Sequence, residues 1–161
     1  MLPSKSGPRT PSGQLGQISL KGRALRLLSG REHSRAELEK RLREYEEAPG
    51  DLGKILDELQ AKGFISEQRV IESVINRRAA KLGSARIRQE LQSKGLDKDA
   101  VLEAVASLQA TELDRARDIW NRKFGEVATD AKARGQQMRF FASRGFSGDV
   151  IRKVMAGEAN D

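Results

Sequence analysis

The sequence predicts an all-α protein, an elongated array of three tandem three-helix repeats of helix-turn-helix outline, led by a disordered N-terminal tail. Three observations carry that expectation. From Ser19 onward apolar residues recur at helical spacing, and most stretches close on a glycine and reopen on a Ser, Asp or Thr. No alternating Val/Ile/Thr run lies between turn dipeptides, so strands have no signal. Aromatic residues are 4% of the chain against 33% charged, which suits several thin cores better than one thick one.

Residues 1–18 hold Pro3, Pro8 and Pro11 among small polar residues, and bury too little apolar surface to offset the entropy of ordering. They are expected to form the tail. Leu20, Ala24, Leu27 and Leu28 make the first helical stripe, which ends near Gly30. Ser34 and Glu37 have the spacing of a capping box, in which each side chain accepts from the other residue's backbone N–H. Leu38, Leu42 and Tyr45 line the second helix, and Ala48-Pro49-Gly50 stops it. Asp51 is placed as the cap of a third helix bearing Leu52, Ile55, Leu56 and Leu59, with Gly63 at its left-handed end.

The pattern then repeats. Ser66 starts a helix with Val70, Ile71, Val74 and Ile75; Ser84 starts one with Ile87 and Leu91, closed by Gly95; Asp97 starts one with Val101, Leu102, Val105 and Leu108. Thr111 is expected to open a last triplet, first with Leu113, Ala116, Trp120 and Phe124, ended by Gly125. A helix from about Asp130 carries Met138, Phe140 and Phe141, and Ser147 caps a final one with Val150, Ile151, Val154 and Met155. Nine helices in three groups result. The middle and last groups align at an offset of 50: Leu91 with Phe141, Gly95-Leu96 with Gly145-Phe146, Asp99 with Asp149, Val101 with Ile151, and Val105 with Met155. The repeats are drawn at residues 19–65, 66–109 and 110–157, with 158–161 as a short C-terminal tail. Units of this size gain stability by stacking on one another.

Several chemistries have no residues to carry them. There is no cysteine, and His33 is the only histidine, so thiolate and multi-histidine metal sites lack ligands. No Gly-x-Ser-x-Gly elbow and no phosphate-binding Gly-x4-Gly-Lys-Ser/Thr loop is present. Neither a catalytic residue nor a cofactor is expected. His33 is expected to pack on Leu38 before the Ser34 cap or to stay exposed. Without an apolar stretch of membrane-spanning length or a secretory leader, the chain is expected to be cytoplasmic.

Charge offers more. Lys and Arg number 30 against 23 Asp and Glu, a formal net charge of +7. Between Arg69 and Lys94 stand Arg69, Arg77, Arg78, Lys81, Arg86, Arg88 and Lys94, opposed only by Glu72 and Glu90. Arg77, Arg78 and Lys81 end one helix, and Arg86 and Arg88 lie early in the next, across a tight Leu82-Gly83-Ser84 turn. Two helices joined in this way have the outline of a helix-turn-helix, and a helix N-terminus favours phosphate. A comparable pattern follows: Arg115, Arg117, Arg122 and Lys123 beside Trp120 and Phe124, then Arg139, Arg144, Arg152 and Lys153. Trp120 and Phe124, four residues apart, are read as core. The candidate binding residues are thus Arg77, Arg78, Lys81, Arg86, Arg88 and Lys94, with Arg122, Lys123, Arg139, Arg144, Arg152 and Lys153 as a second patch. The residues alone define a non-catalytic helical binder of an acidic surface, nucleic acid or a protein assembled on it. The positive charge also opposes self-association, so a monomer is expected.

Ala24-Leu25-Arg26-Leu27-Leu28 and Arg31-Glu32-His33-Ser34-Arg35-Ala36-Glu37-Leu38 resemble the opening of RecX, the bacterial modulator of the recombinase RecA. The likeness continues through Gly63-Phe64-Ile65, Gly83, Ile87-Arg88-Gln89-Glu90-Leu91 and Lys94-Gly95. It ends in Arg115-Ala116-Arg117, Trp120, Lys123-Phe124-Gly125, Arg139-Phe140 and Arg144-Gly145-Phe146-Ser147. The resemblance spans about residues 20–157. It implies tandem three-helix repeats and binding in the helical groove of the RecA–DNA nucleoprotein filament. It further implies inhibition of strand exchange, ATP hydrolysis and co-protease activity, hence a part in DNA repair, recombination and the SOS response. Weak binding to single- or double-stranded DNA is expected beside it. The alternative is an independent DNA-binding protein of helix-turn-helix type. The Tyr45–Asp51 loop and the tail look like local variation.

Overall fold

The computed structural model describes residues 17–157, so most of the expected tail, and residues 158–161, lie outside the described residues. Among the described residues are eight α-helices, one 3-10 turn and no strand. The chain divides into two compact units, one through Ile65 and one from Ser66.

The first unit contains α1 (Leu20–Gly30), α2 (Arg35–Leu42), a 3-10 turn (Arg43–Tyr45) and α3 (Asp51–Ala61). Ser19 caps α1 by accepting from the Gly22 N–H. The capping box at α2 forms as its spacing demands, with Ser34 and Glu37 exchanging hydrogen bonds of 3.1 Å. Behind the caps, Ala24, Leu38, Leu42, Leu52, Leu56, Leu59 and Ile65 close the core. Glu58 on α3 holds Lys21 of α1 and Lys62, each at 2.7 Å, and the Lys21 hydrogen bond, followed by that of Lys62, brings its carboxyl down to about 2.

The cap of α3 differs from expectation. Gly50 takes the N-cap position at φ 90°, and Asp51 is the first helical residue. The capping oxygens come from the loop instead: the Glu46 carboxylate accepts from the N–H groups of Gly50 and Leu52. Only glycine reaches that backbone conformation without strain, and it leaves no side chain there to cap.

His33, left open by the sequence between packing and exposure, is buried at 2% exposure. Its Nδ1 lies 3.0 Å from the Arg31 carbonyl, while Nε2 is buried with no partner among the described residues. The arrangement fits a neutral ring donating from Nδ1. Burial lowers the His33 pKa from its ordinary value, partly opposed by the Arg31 carbonyl. A group whose folded pKa is depressed contributes its full stability above the unfolded value, about 6.5, and loses it as pH falls through the folded value. Denaturant titrations should therefore show stability falling as pH drops below about 6.5, with a smaller fall in His33→Gln. Identical pH profiles for the two proteins would contradict this.

The second unit contains α4 (Glu67–Arg78), α5 (Ser84–Ser93), α6 (Lys98–Lys123), α7 (Ala131–Ser143) and α8 (Gly148–Ala156). Ser66, Asp97, Asp130 and Ser147 cap α4, α6, α7 and α8 through their side chains. The expected offset of 50 is visible as shared position: Leu91 and Phe141 are both fully buried, and Gly95 and Gly145 follow with φ of 67° and 88°. Leu96 and Phe146, then Val101 and Ile151, are buried as pairs in turn.

One expected helix start is corrected. Thr111 opens nothing; it lies inside the 26-residue α6, and its hydroxyl donates back to the Leu108 carbonyl. Between Asp97 and Lys123 there is no glycine or proline, and Ala, Leu, Glu and Gln are strong helix formers, so the helix has no reason to stop. α6 therefore serves two cores. Val101, Val105 and Leu108 pack with α4 and α5, whereas Leu113, Ala116, Ile119 and Trp120 pack with α7 and α8. Most of the aromatic residues gather in the second core, where Trp120, Phe124, Phe140, Phe141 and Phe146 lie at centroid spacings of 5.3–6.3 Å.

Candidate functional site

The basic turn between α4 and α5 is built on α6. Arg115 of α6 donates to the carbonyls of Ala79 and Leu82 at 2.9 and 2.8 Å, to Leu108 at 2.9 Å, and to the Thr111 hydroxyl. The first two bonds occupy carbonyls of the turn that follows α4, that of Ala79 belonging to its C-cap residue. Burial lowers the Arg115 pKa, and Glu112 acts against the shift. Glu112 is itself 5% exposed and accepts from the Ser84 N–H, where α5 begins. A carboxylate there meets the positive end of the helix dipole, and does for α5 what no cap side chain does, because Gly83 holds the N-cap position.

The same turn meets the turn between α7 and α8 backbone to backbone. The Gly83 N–H donates to the Arg144 carbonyl at 2.8 Å, and the Ala85 N–H to the Gly145 carbonyl at 3.2 Å. Arg86 adds a bond from its guanidinium to the Ser143 carbonyl at 2.8 Å. A Cβ on Gly83 would overlap the Gly145 peptide, so the approach needs glycine on the α5 side. Turns some sixty residues apart are thereby joined, which brings Arg86 of the first cluster to the turn that carries Arg144 of the second.

The twelve candidate residues separate on this frame. Arg77 and Arg78 are exposed and share Glu90 of α5, at 3.8 and 3.3 Å. Lys81, Arg88 and Arg139 are exposed and have no carboxylate partner among the described residues. Arg86 is exposed, but its guanidinium is engaged at the turn contact. Arg122 donates to its own helix at Asp118. Lys123 and Arg144 stand 4.6 and 3.5 Å from the centroid of the Phe140 ring, a cation–π arrangement. Arg152 and Lys153 pair with Asp149 on α8. Lys94 departs from the reading: it is the C-cap residue of α5, just before Gly95, and only 9% exposed.

Sequence reasoning grouped Arg115 with the basic surface, but the structure sets it inside the turn, along with Glu112. The partners that fix the turn, Ser84, Ala79 and Leu82, lie 28 to 36 residues away, beyond any local pattern. Trp120 is core as expected, at 6% exposure. Among the described residues no three His, Cys, Asp or Glu side chains are placed to hold a metal, and no helix is long and apolar enough to cross a membrane.

Two three-helix cores fused through a shared helix, with cations at the turns, define a class of all-helical repeat proteins. Family models for the second and third three-helix domains of RecX match residues 66–105 and 110–155. The chain is 52% identical over 139 residues to Regulatory protein RecX of Leptothrix cholodnii, covering 86% of this chain and 88% of that one. It is 49% identical over 146 residues to the Herminiimonas arsenicoxydans protein of the same name, covering 90% and 97%. The crystal structure of RecX from Lactobacillus salivarius matches the fold with a TM-score of 0.67 at 19% identity, covering 86% of this chain and 93% of that one. The chain belongs to the RecX family of regulatory proteins.

The Gly83–Gly145 approach makes a direct prediction. Gly83→Ala should lower stability by about 1–3 kcal/mol, because the added methyl group overpacks a backbone contact. Gly30→Ala, where a Cβ would meet nothing within 4 Å, should leave stability unchanged or raise it by up to about 1 kcal/mol. Equal effects in chemical denaturation would mean that the turn contact carries no strain-sensitive packing.

Proposed function

We propose that this chain modulates RecA, mainly as an inhibitor, by lying in the helical groove of the RecA–DNA filament as a monomer in the cytoplasm. The observation that carries the proposal is the joining of two basic turns at Gly83 and Gly145. It supports a continuous display in which Lys81, Arg88 and Arg139 keep their charges available to an acidic ligand. The three repeats at residues 19–65, 66–109 and 110–157 would act as separate contact points, so that several weak contacts bridge neighbouring subunits. Holding both sides of an inter-subunit seam restrains the motion that ATP turnover, strand exchange and co-protease activity need. Affinity for single- or double-stranded DNA alone would be weak by comparison. No step in this scheme makes or breaks a bond on the chain itself.

Removing Arg77, Arg78 and Arg88 together tests the basic display. The Ala variant should bind the filament more weakly, and each lost phosphate contact should shallow the slope of log affinity against log salt by about 0.7. Its helical circular dichroism should persist, since all three side chains are exposed and Ala is the best helix former. A folded variant with unchanged salt slope would reduce the cluster to a solvated face.

A further inference from the structure

We propose a second nucleic-acid contact in the first unit, a hollow of about 390 Å³ between α1, the end of α2 and the 3-10 turn, shaped for the phosphates and an unstacked base of a single strand. Arg23 and Arg26 of α1 and Lys40 and Arg41 of α2 line it, against a single carboxylate, Glu44. None of these four cations has an ion-pair partner among the described residues. Each of the well-formed ion pairs of this unit lies elsewhere, on Lys21, Arg31, Arg35 and Lys62. Lys40 and Arg41 fall in the last turn of α2, where cations are favoured by the helix dipole, yet neither side chain bonds a terminal carbonyl. Chain charge on the N-terminal side does not supply the missing acids either: residues 1–16 contain Lys5 and Arg9 and no carboxylate.

The aromatic residue at the rim chooses the ligand. Tyr45 is one of few large apolar side chains left exposed, at 42%, and the Arg23 guanidinium lies 3.8 Å from its ring centroid. A carboxylate-bearing protein surface would use the cations and the Tyr45 hydroxyl but leave the face of the ring unused. An unpaired base stacks on such a ring or on the guanidinium plane while the neighbouring phosphates take the remaining cations. A paired duplex keeps its bases stacked and leaves the ring idle. The inference extends the proposed function and rests on its reading that the ligand includes nucleic acid.

The test uses the full chain and a fluorescein-labelled oligothymidylate in the absence of RecA, with anisotropy followed across a salt series. The wild-type chain should bind at low salt. Arg26→Ala/Lys40→Ala/Arg41→Ala should weaken that binding and shallow the salt slope by about two, at roughly 0.7 for each contact. Tyr45→Ala should lose about five-fold or more in affinity with its slope kept, and Tyr45→Phe should retain binding. Should the triple variant lose its helical signal, Lys40→Glu alone, a single exposed position, should weaken binding and shallow the slope in the same sense. No salt-dependent binding by the wild-type chain, or slopes unchanged in the folded variants, would overturn the site. Loss of filament affinity with oligothymidylate binding intact would assign the hollow to an acidic protein surface, and would also overturn it. The filament reading stands or falls separately, on the Arg77, Arg78 and Arg88 variant measured with assembled filament.

Discussion

The second unit depends on one close approach of backbone to backbone. At Gly83 and Gly145 two turns come together with no side chain between them, and hydrogen bonds from Gly83 and Ala85 fix the register. Such a contact has no tolerance for volume, so everything around it has to hold the turns in place. Arg115 does so from beneath by occupying the carbonyls of Ala79 and Leu82, and Glu112 does so by receiving the start of α5. A hydrogen bond to a charged group contributes about 1.5–3 kcal/mol, and leaving these carbonyls unpaired in a partly buried turn would forfeit that. Both side chains come from α6. The long helix therefore acts as a strut between two small cores that would each be marginal alone.

That frame divides the cations by task. Arg86 and Arg115 hold the turns, Arg144 and Lys123 sit over Phe140, and Arg152 and Lys153 are matched with Asp149. Arg122 is spent on its own helix. What remains for a ligand is a smaller set than the net charge suggests, led by Lys81, Arg88 and Arg139, with Arg77 and Arg78 sharing one glutamate. Under the proposed function, a surface of this kind would give salt-dependent attraction without base-specific readout, and specificity would come from the arrangement of the partner. A regulator proposed to recognise an assembled filament over its components needs that property.

Much of the fold was legible because its punctuation is local. Ser34 and Ser147 cap the helices they are expected to cap, Ser66, Asp97 and Asp130 cap the helices expected to start at or near them, and Gly63, Gly95, Gly125 and Gly145 all adopt positive φ at helix ends. Thr111 misled because threonine is also a cap residue, and only the absence of a nearby breaker distinguishes a cap from an interior position. The α3 cap misled for the converse reason, since its oxygens come from Glu46 and not from the adjacent Asp51. For the site, the sequence located the basic turns but could not sort their charges. Lys94 and Lys81 look alike in sequence, yet one is buried at the end of α5 and the other is exposed. The pairing of Arg23 with Tyr45 was invisible, because the two residues meet only when α1 packs beside the turn that follows α2.

The proposed function places affinity in the assembled filament. The measurement that tests it most directly compares the dissociation constants of the chain for single-stranded DNA, for free RecA and for RecA assembled on the same DNA, all at one salt concentration near physiological. The filament should bind at least about ten-fold tighter than either component, since only there can several weak contacts act together. Bare DNA binding as tightly as the filament would contradict it, and would instead describe an independent DNA-binding protein.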